Sequence, residues 1–89
     1  MAEFAATIHV RPKAEVRDPQ GEAITAALRS LGFDVAQVRT GKEFVVRFSA
    51  ADETRAREAA RTMGDQLLAN PVIDDYAVEL CAPARSMPR

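Results

Sequence analysis

Leu67-Leu68-Ala69-Asn70-Pro71-Val72-Ile73-Asp74-Asp75-Tyr76 carries the chain out of an amphipathic helix and into a strand. Proline has no amide to give a helix interior, and its ring pushes the preceding residue toward extended backbone, so Asn70-Pro71 is a stop. Upstream, the spacing predicts a helix from about Ala51 to Ala69, with Ala56, Ala59, Ala60, Met63 and Leu67 on its inner face. Arg55, Glu58, Arg61, Thr62 and Asp65 fall on the outer face. Ser49-Ala50-Ala51-Asp52 reads as a capping box with Ser49 as the cap, and Asp52 and Glu53 suit the positive end of the helix dipole. Downstream, Val72 to Leu80 reads as a strand with Tyr76, Val78 and Leu80 on one face.

Working toward the N-terminus, Glu43 to Phe48 alternates, with Phe44, Val46 and Phe48 facing one way. Thr40-Gly41-Lys42 is a turn before it, and Phe33 to Arg39 is predicted to be the strand that precedes the turn, forming an antiparallel hairpin. Val35 and Val38 are out of strict alternation there, which a bulge would explain. A second helix is opened by Asp18, whose carboxylate can accept from the free amides of the first turn, with Pro19 where a missing amide costs nothing. Its apolar stripe is Ile24, Ala27, Leu28 and Leu31, and Gly32 is placed to close it in a left-handed conformation. Phe4 to Val10 is a period-two strand with Phe4, Ala6, Ile8 and Val10 on one face, ended by Arg11-Pro12-Lys13.

The order strand, helix, strand, strand, helix, strand predicts an α+β two-layer sandwich: an antiparallel sheet with one face covered by both helices, a variant of the ferredoxin-like split arrangement. Open sheet edges invite pairing with a second copy. Residues 1–80 are expected to form one domain, and 81–89, rich in Pro, Ala and Arg, a flexible tail.

Composition narrows the function classes. The chain has 89 residues, 47% hydrophobic but only 6% aromatic, so its core is assembled from small side chains and is marginal alone. Self-association is the usual remedy. The net charge is −1, with both signs interspersed, which gives no concentrated basic surface for nucleic acid. RNA readers of this strand order display aromatics on the exposed sheet face, whereas Phe4, Phe44 and Phe48 read as core. No apolar run approaches the ~20 residues that cross a bilayer, and no charged-then-apolar leader opens the chain, so neither membrane nor export is expected and a cytoplasmic location is.

Chemistry-bearing residues are sparse. His9 is the one histidine and Cys81 the one cysteine, with no ligand spacing around either, so no metal or cofactor is expected in this chain. Cys81 has no histidine near it in sequence to activate it. Ser30, Ser49 and Ser86 lack a nucleophile-elbow context. Thr40-Gly41-Lys42 lacks the spaced glycines of a phosphate loop. Asp74 and Asp75, as neighbours on a strand, point to opposite faces and cannot share a reacting centre. No catalytic set emerges.

Three segments in this order and spacing, Asp18-Pro19-Gln20-Gly21, Val38-Arg39-x-Gly41-Lys42 and Leu67 to Tyr76, resemble the PurS family, small subunits of phosphoribosylformylglycinamidine synthase. The resemblance runs from about Thr7 to Leu80. It implies a non-catalytic accessory subunit in purine biosynthesis, which belongs to an enzyme without holding an active site. It further implies a homodimer or tetramer bridging a glutaminase subunit, PurQ, and a synthetase subunit, PurL, that would hold ATP and Mg, and supporting ammonia transfer between them. Asp18, Gln20, Arg39, Lys42, Asn70, Asp75 and Tyr76 are then the expected partner-binding residues. A sensor of the ACT type, with the same strand order, is the alternative.

Overall fold

The computed structural model describes residues 1–81. Its elements are β1 (Ala2–Pro12), α1 (Pro19–Ser30), β2 (Lys42–Ala50), α2 (Glu53–Met63) and β3 (Asp74–Cys81), and α2 runs directly into a π-helical segment, Gly64–Leu68. The three strands form an antiparallel sheet in the order β2-β1-β3. The register sets Phe4 opposite Phe48 and Ile8 between Phe44 and Val78, so the alternating apolar residues of all three strands share one face.

That face is the core. Phe4, Ala6, Ile8 and Val10 are buried, and Ala56 and Ala60 of α2 are fully buried against them. Alanine at these positions lets the helix axis approach the sheet closely. Phe44, Val46, Phe48, Met63, Leu68, Val78 and Leu80 pack around the margin. Asp52 starts α2, its Oδ1 accepting from the Arg55 amide at 2.8 Å. The expected cap, Ser49, is instead in β2, because the strand continues to Ala50 and the shorter reach to a first-turn amide belongs to Asp52. Cys81, expected in the tail, is the last residue of β3 and lies opposite Ala5. The rest of the expected tail, residues 82–89, lies outside the described residues.

Two further expectations, about the layout of the elements, are corrected. Residues 33–39 are not a strand. Their backbone is held by side chains of α1: Arg29 donates to the Val35 and Ala36 carbonyls, and the Val38 amide donates to Thr25 Oγ1. The segment is therefore a strap along α1, and no hairpin joins it to β2. The second correction concerns α1, which does not cover the sheet. Within it only Gly21 is buried, while Leu31 and the following Phe33 are 74% and 58% exposed. Helix and strap form an arm beyond the body. The radius of gyration is 16.3 Å and the extents are 51 × 29 × 14 Å, against about 12 Å for a compact chain of this length.

Candidate functional site

The quoted motifs converge on the end of the body from which the arm departs. Asp18 caps α1 as expected, with Oδ1 accepting from the Gly21 amide at 3.0 Å. The same carboxylate also accepts from the Thr40 amide at 2.7 Å and from Thr40 Oγ1 at 2.9 Å. The Thr40 amide, then the Gly21 amide, hold its pKa below the usual carboxylate value, with Arg39 adding to the effect. Gly21 is required by close approach, since a Cβ there would lie 2.4 Å from the Val38 carbonyl oxygen. Arg39 donates through Nη2 to the Lys13 and Val16 carbonyls, both at 3.0 Å. Asp18 and Arg39 thus clasp the root of the arm.

Asn70 and Asp74 make a second clasp. Asn70 Oδ1 accepts from the Val72 amide at 3.0 Å, and Asp74 Oδ2 accepts from the Asn70 amide at 2.9 Å. The Asn70 carbonyl accepts from the amides of Ile73 and Asp74, and the Ile73 carbonyl accepts from Lys13. These bonds fix a tight turn, so β3 begins at Asp74 and not at Val72. Asp75 pairs with Lys13 Nζ at 2.7 Å, which raises the lysine pKa. Tyr76 lays its ring on Gly64, where a Cβ would come within 2.8 Å of it. Its hydroxyl donates to the Arg61 carbonyl at 3.1 Å and reaches Asp65 Oδ1 at 3.5 Å. Burial and the Asp65 charge raise the Tyr76 pKa. Gln20 and Lys42 are exposed and line a hollow between the arm and the body, with Thr40, Gly41 and Ile73.

Of the seven residues expected to meet a partner, the side chains of Asp18, Arg39, Asn70, Asp75 and Tyr76 are engaged within the chain, and Gln20 and Lys42 face solvent. The outward apolar residues are different ones. Leu67 was expected in the core but is 82% exposed, and Leu68 packs inward in its place. The π segment adds a residue to the turn and so rotates Leu67 out of the helix's apolar face. Val72 stands at the tip of the fixed turn and is 77% exposed. Leu67 and Leu68 stand about 100° apart around a helix, so either could continue the row of Ala60 and Met63, and Gly64 marks where the helix departs from regularity.

The open face of the sheet is polar. His9 Nε2 lies 2.8 Å from Glu79 Oε1 and its Nδ1 3.7 Å from Glu43 Oε2, and Arg47 meets Glu3 at 3.5 Å. Among the described residues, no three His, Cys, Asp or Glu side chains are grouped to hold a metal, and no helix is long and apolar enough to cross a membrane.

Comparison with known proteins agrees on one family. The model of the family described as PurS, phosphoribosylformylglycinamidine (FGAM) synthase, matches residues 5–82. The phosphoribosylformylglycinamidine synthase subunit PurS of Synechocystis is 45% identical over 76 residues, which is 84% of this chain and 76% of that protein. The corresponding subunit of Archaeoglobus fulgidus is 40% identical over 74 residues, 82% of this chain and 92% of that protein. Thermus thermophilus PurS superposes with a TM-score of 0.82 at 41% identity, covering 89% of this chain and 95% of that one. A chain of the PurLQS structure from Thermotoga maritima gives a TM-score of 0.84 at 34% identity, covering 91% of this chain and all of that one.

Proposed function

The chain belongs to the PurS family of phosphoribosylformylglycinamidine synthase subunits, and from that premise we propose that it joins copies of itself, PurQ and PurL into one working ligase. The reaction of that enzyme, in purine biosynthesis, consumes formylglycinamide ribonucleotide, ATP and glutamine. In this reading the bond-making groups, ATP and its magnesium reside on PurL, glutamine is hydrolysed on PurQ, and this chain holds the two close enough for ammonia to pass between them. It works in the cytoplasm. The family leaves the ACT-type sensor without support.

The observation that carries the proposal is the uncovered arm. An amphipathic helix that buries none of its large apolar side chains within its own chain is built for another surface. A second copy fits, because each copy has one arm and one body with open sheet edges, and reciprocal exchange closes a two-fold pair with no unmatched surface left over. The polar clasps at Asp18 and Asn70 hold this shape and perform no chemistry of their own.

The test is reconstitution. Light scattering is expected to give a dimer or a dimer of dimers for the chain alone. Glutamine- and ATP-dependent formation of the amidine nucleotide is expected from the three-subunit mixture, with a loss of activity when this chain is omitted. Turnover by the chain alone, or a full rate without it, overturns the reading.

A further inference from the structure

We propose that β2 pairs along its outer edge with β2 of a second copy, antiparallel and centred on Val45, so that Glu43 of each copy meets Arg47 of the other. The inference rests on the reading of this chain as a self-associating subunit, and it names the contact that sets the two copies in register.

The edge itself comes first. The order β2-β1-β3 leaves β2 and β3 each with one side unpaired among the described residues. β2 runs from Lys42 to Ala50 with no proline to interrupt its outer row of backbone donors and acceptors. A two-fold axis perpendicular to the sheet sets a strand antiparallel to its own copy. β2 on β2 then closes the pair into one continuous sheet, with both α2 helices on the same side.

Charge chooses both the edge and the register. Residues opposite each other in an antiparallel pair face the same side of the sheet, where unlike charges attract and like charges repel. Centred on Val45, the pairing sets Glu43 against Arg47 at both ends, and no other antiparallel register of β2 on itself opposes unlike charges. β3 carries Asp74, Asp75 and Glu79 and no cation. Its matching register, centred on Ala77, sets Asp75 against Glu79 twice, and no register of β3 on itself supplies an attraction. β2 on β3 leaves one edge of each copy unused and grows into an open chain. The occupant is therefore a second β2.

Packing agrees with the register. Val45, 41% exposed on the polar face, lies against its own counterpart at the axis. Phe44 and Val46, half-buried at the margin of the core, come opposite Val46 and Phe44 of the second copy and cover the flank that α2 leaves open. Glu43 and Arg47 have room to turn toward each other. They stand 3.7 Å from His9 and 3.5 Å from Glu3, and each keeps more than half of its side chain in solvent. Extended to the root of the arm, the register brings Thr40 beside Ala50 of the second copy, near where that copy's chain enters α2. The edge sets the register, and the arms add apolar area to the same pair.

The experiment uses the full chain. Glu43→Arg and Arg47→Glu each place two like-charge pairs across the edge, and each alone is expected to raise the dimer dissociation constant about tenfold, read by sedimentation on dilution. Both side chains are in solvent, so the dilute-limit Tm of each variant is expected to match the parent. Mixed in equal amounts, the two single variants are expected to form a heterodimer of near-parental affinity, a rescue that contacts within one chain do not produce. Should a charge reversal fail to fold, Glu43→Gln and Arg47→Gln are expected to weaken the dimer about threefold and to blunt its sensitivity to salt. Unchanged self-association in the single variants overturns the proposal, as does weakening without rescue on mixing. Weakened binding to PurL or PurQ with self-association intact also overturns it, by giving the edge to a larger subunit. If the unaltered chain is a monomer at every concentration, the self-associating reading fails first and this one with it. A chain that dimerises and ignores these substitutions sinks this inference alone.

Discussion

Asp18 shows how much one carboxylate can organise when it accepts three hydrogen bonds at once. It joins the first turn of α1 to Thr40, 22 residues later, and so sets where the arm leaves the body. Its folded pKa is depressed, so the stabilisation it gives is present above the unfolded carboxylate value of about 3.9 and disappears as pH falls through the lower folded value. The expected outcome is that Asp18→Asn lowers Tm at pH 7, and that the fall in Tm between pH 5 and pH 2.5 is smaller in the variant than in the parent. Parallel pH-dependent melts check this, and identical slopes would remove Asp18 from the account. Gly21 belongs to the same clasp. Gly21→Ala drives a methyl into the Val38 carbonyl and the Asp18 carboxylate, and the expected cost is about 1–3 kcal/mol in urea unfolding, the range for overpacking a tight contact. In the core, Ile8 is the one large side chain fully buried among the described residues, so Ile8→Ala should cost about 2–5 kcal/mol by the same measurement.

At the level of elements, periodicity told most where a face is covered and least where it is not. β1 and β2 alternate cleanly and were readable, as were the start of α1 at Asp18 and its end at Gly32, whose φ is 99°. The stripe Ile24, Ala27, Leu28, Leu31 was readable as an amphipathic helix, but a stripe says only that a surface is wanted, not whose. Residues 33–39 have strand-like composition, and what denies them a strand is a set of bonds from Arg29 and Thr25 that local pattern does not encode. The candidate site divides the same way. Asp18 was identifiable as a cap and Asn70-Pro71 as a stop, and the structure uses both, whereas Leu67 fitted the inner face equally well until the π segment turned it. That segment depends on Gly64 touching the Tyr76 ring. Gly64→Ala is expected to destabilise the parent by about 1–2 kcal/mol, because displacing the ring outweighs the gain of about 1 kcal/mol in helix propensity. In a Tyr76→Ala background the same substitution should be neutral or stabilising. A double-mutant cycle reads the coupling directly, and additive effects would show that glycine serves some other purpose there.

At the scale of the molecule, the body alone has too small a core to be comfortable and the arm has no core at all. Phe4, Ile8 and Val10 are the only buried side chains larger than alanine among the apolar residues described, while Leu31, Phe33 and Ile24 of the arm remain in solvent. Burying an exposed leucine or phenylalanine contributes roughly 1.5–3 kcal/mol each, so an exchange of two arms between copies would decide whether the fold is marginal or secure. Stability is then tied to assembly by mass action, and Tm is expected to rise with protein concentration across the micromolar range. Leu31→Glu makes the case sharp. In a lone chain the side chain already faces water, and the substitution should leave the dilute-limit Tm nearly unchanged. If the arm seats on a second copy, the same substitution buries a carboxylate, so it should abolish the concentration dependence and leave a monomer by light scattering. A variant that keeps both the dimer and the concentration dependence would show that the copies meet through their open sheet edges and leave the arm for another subunit.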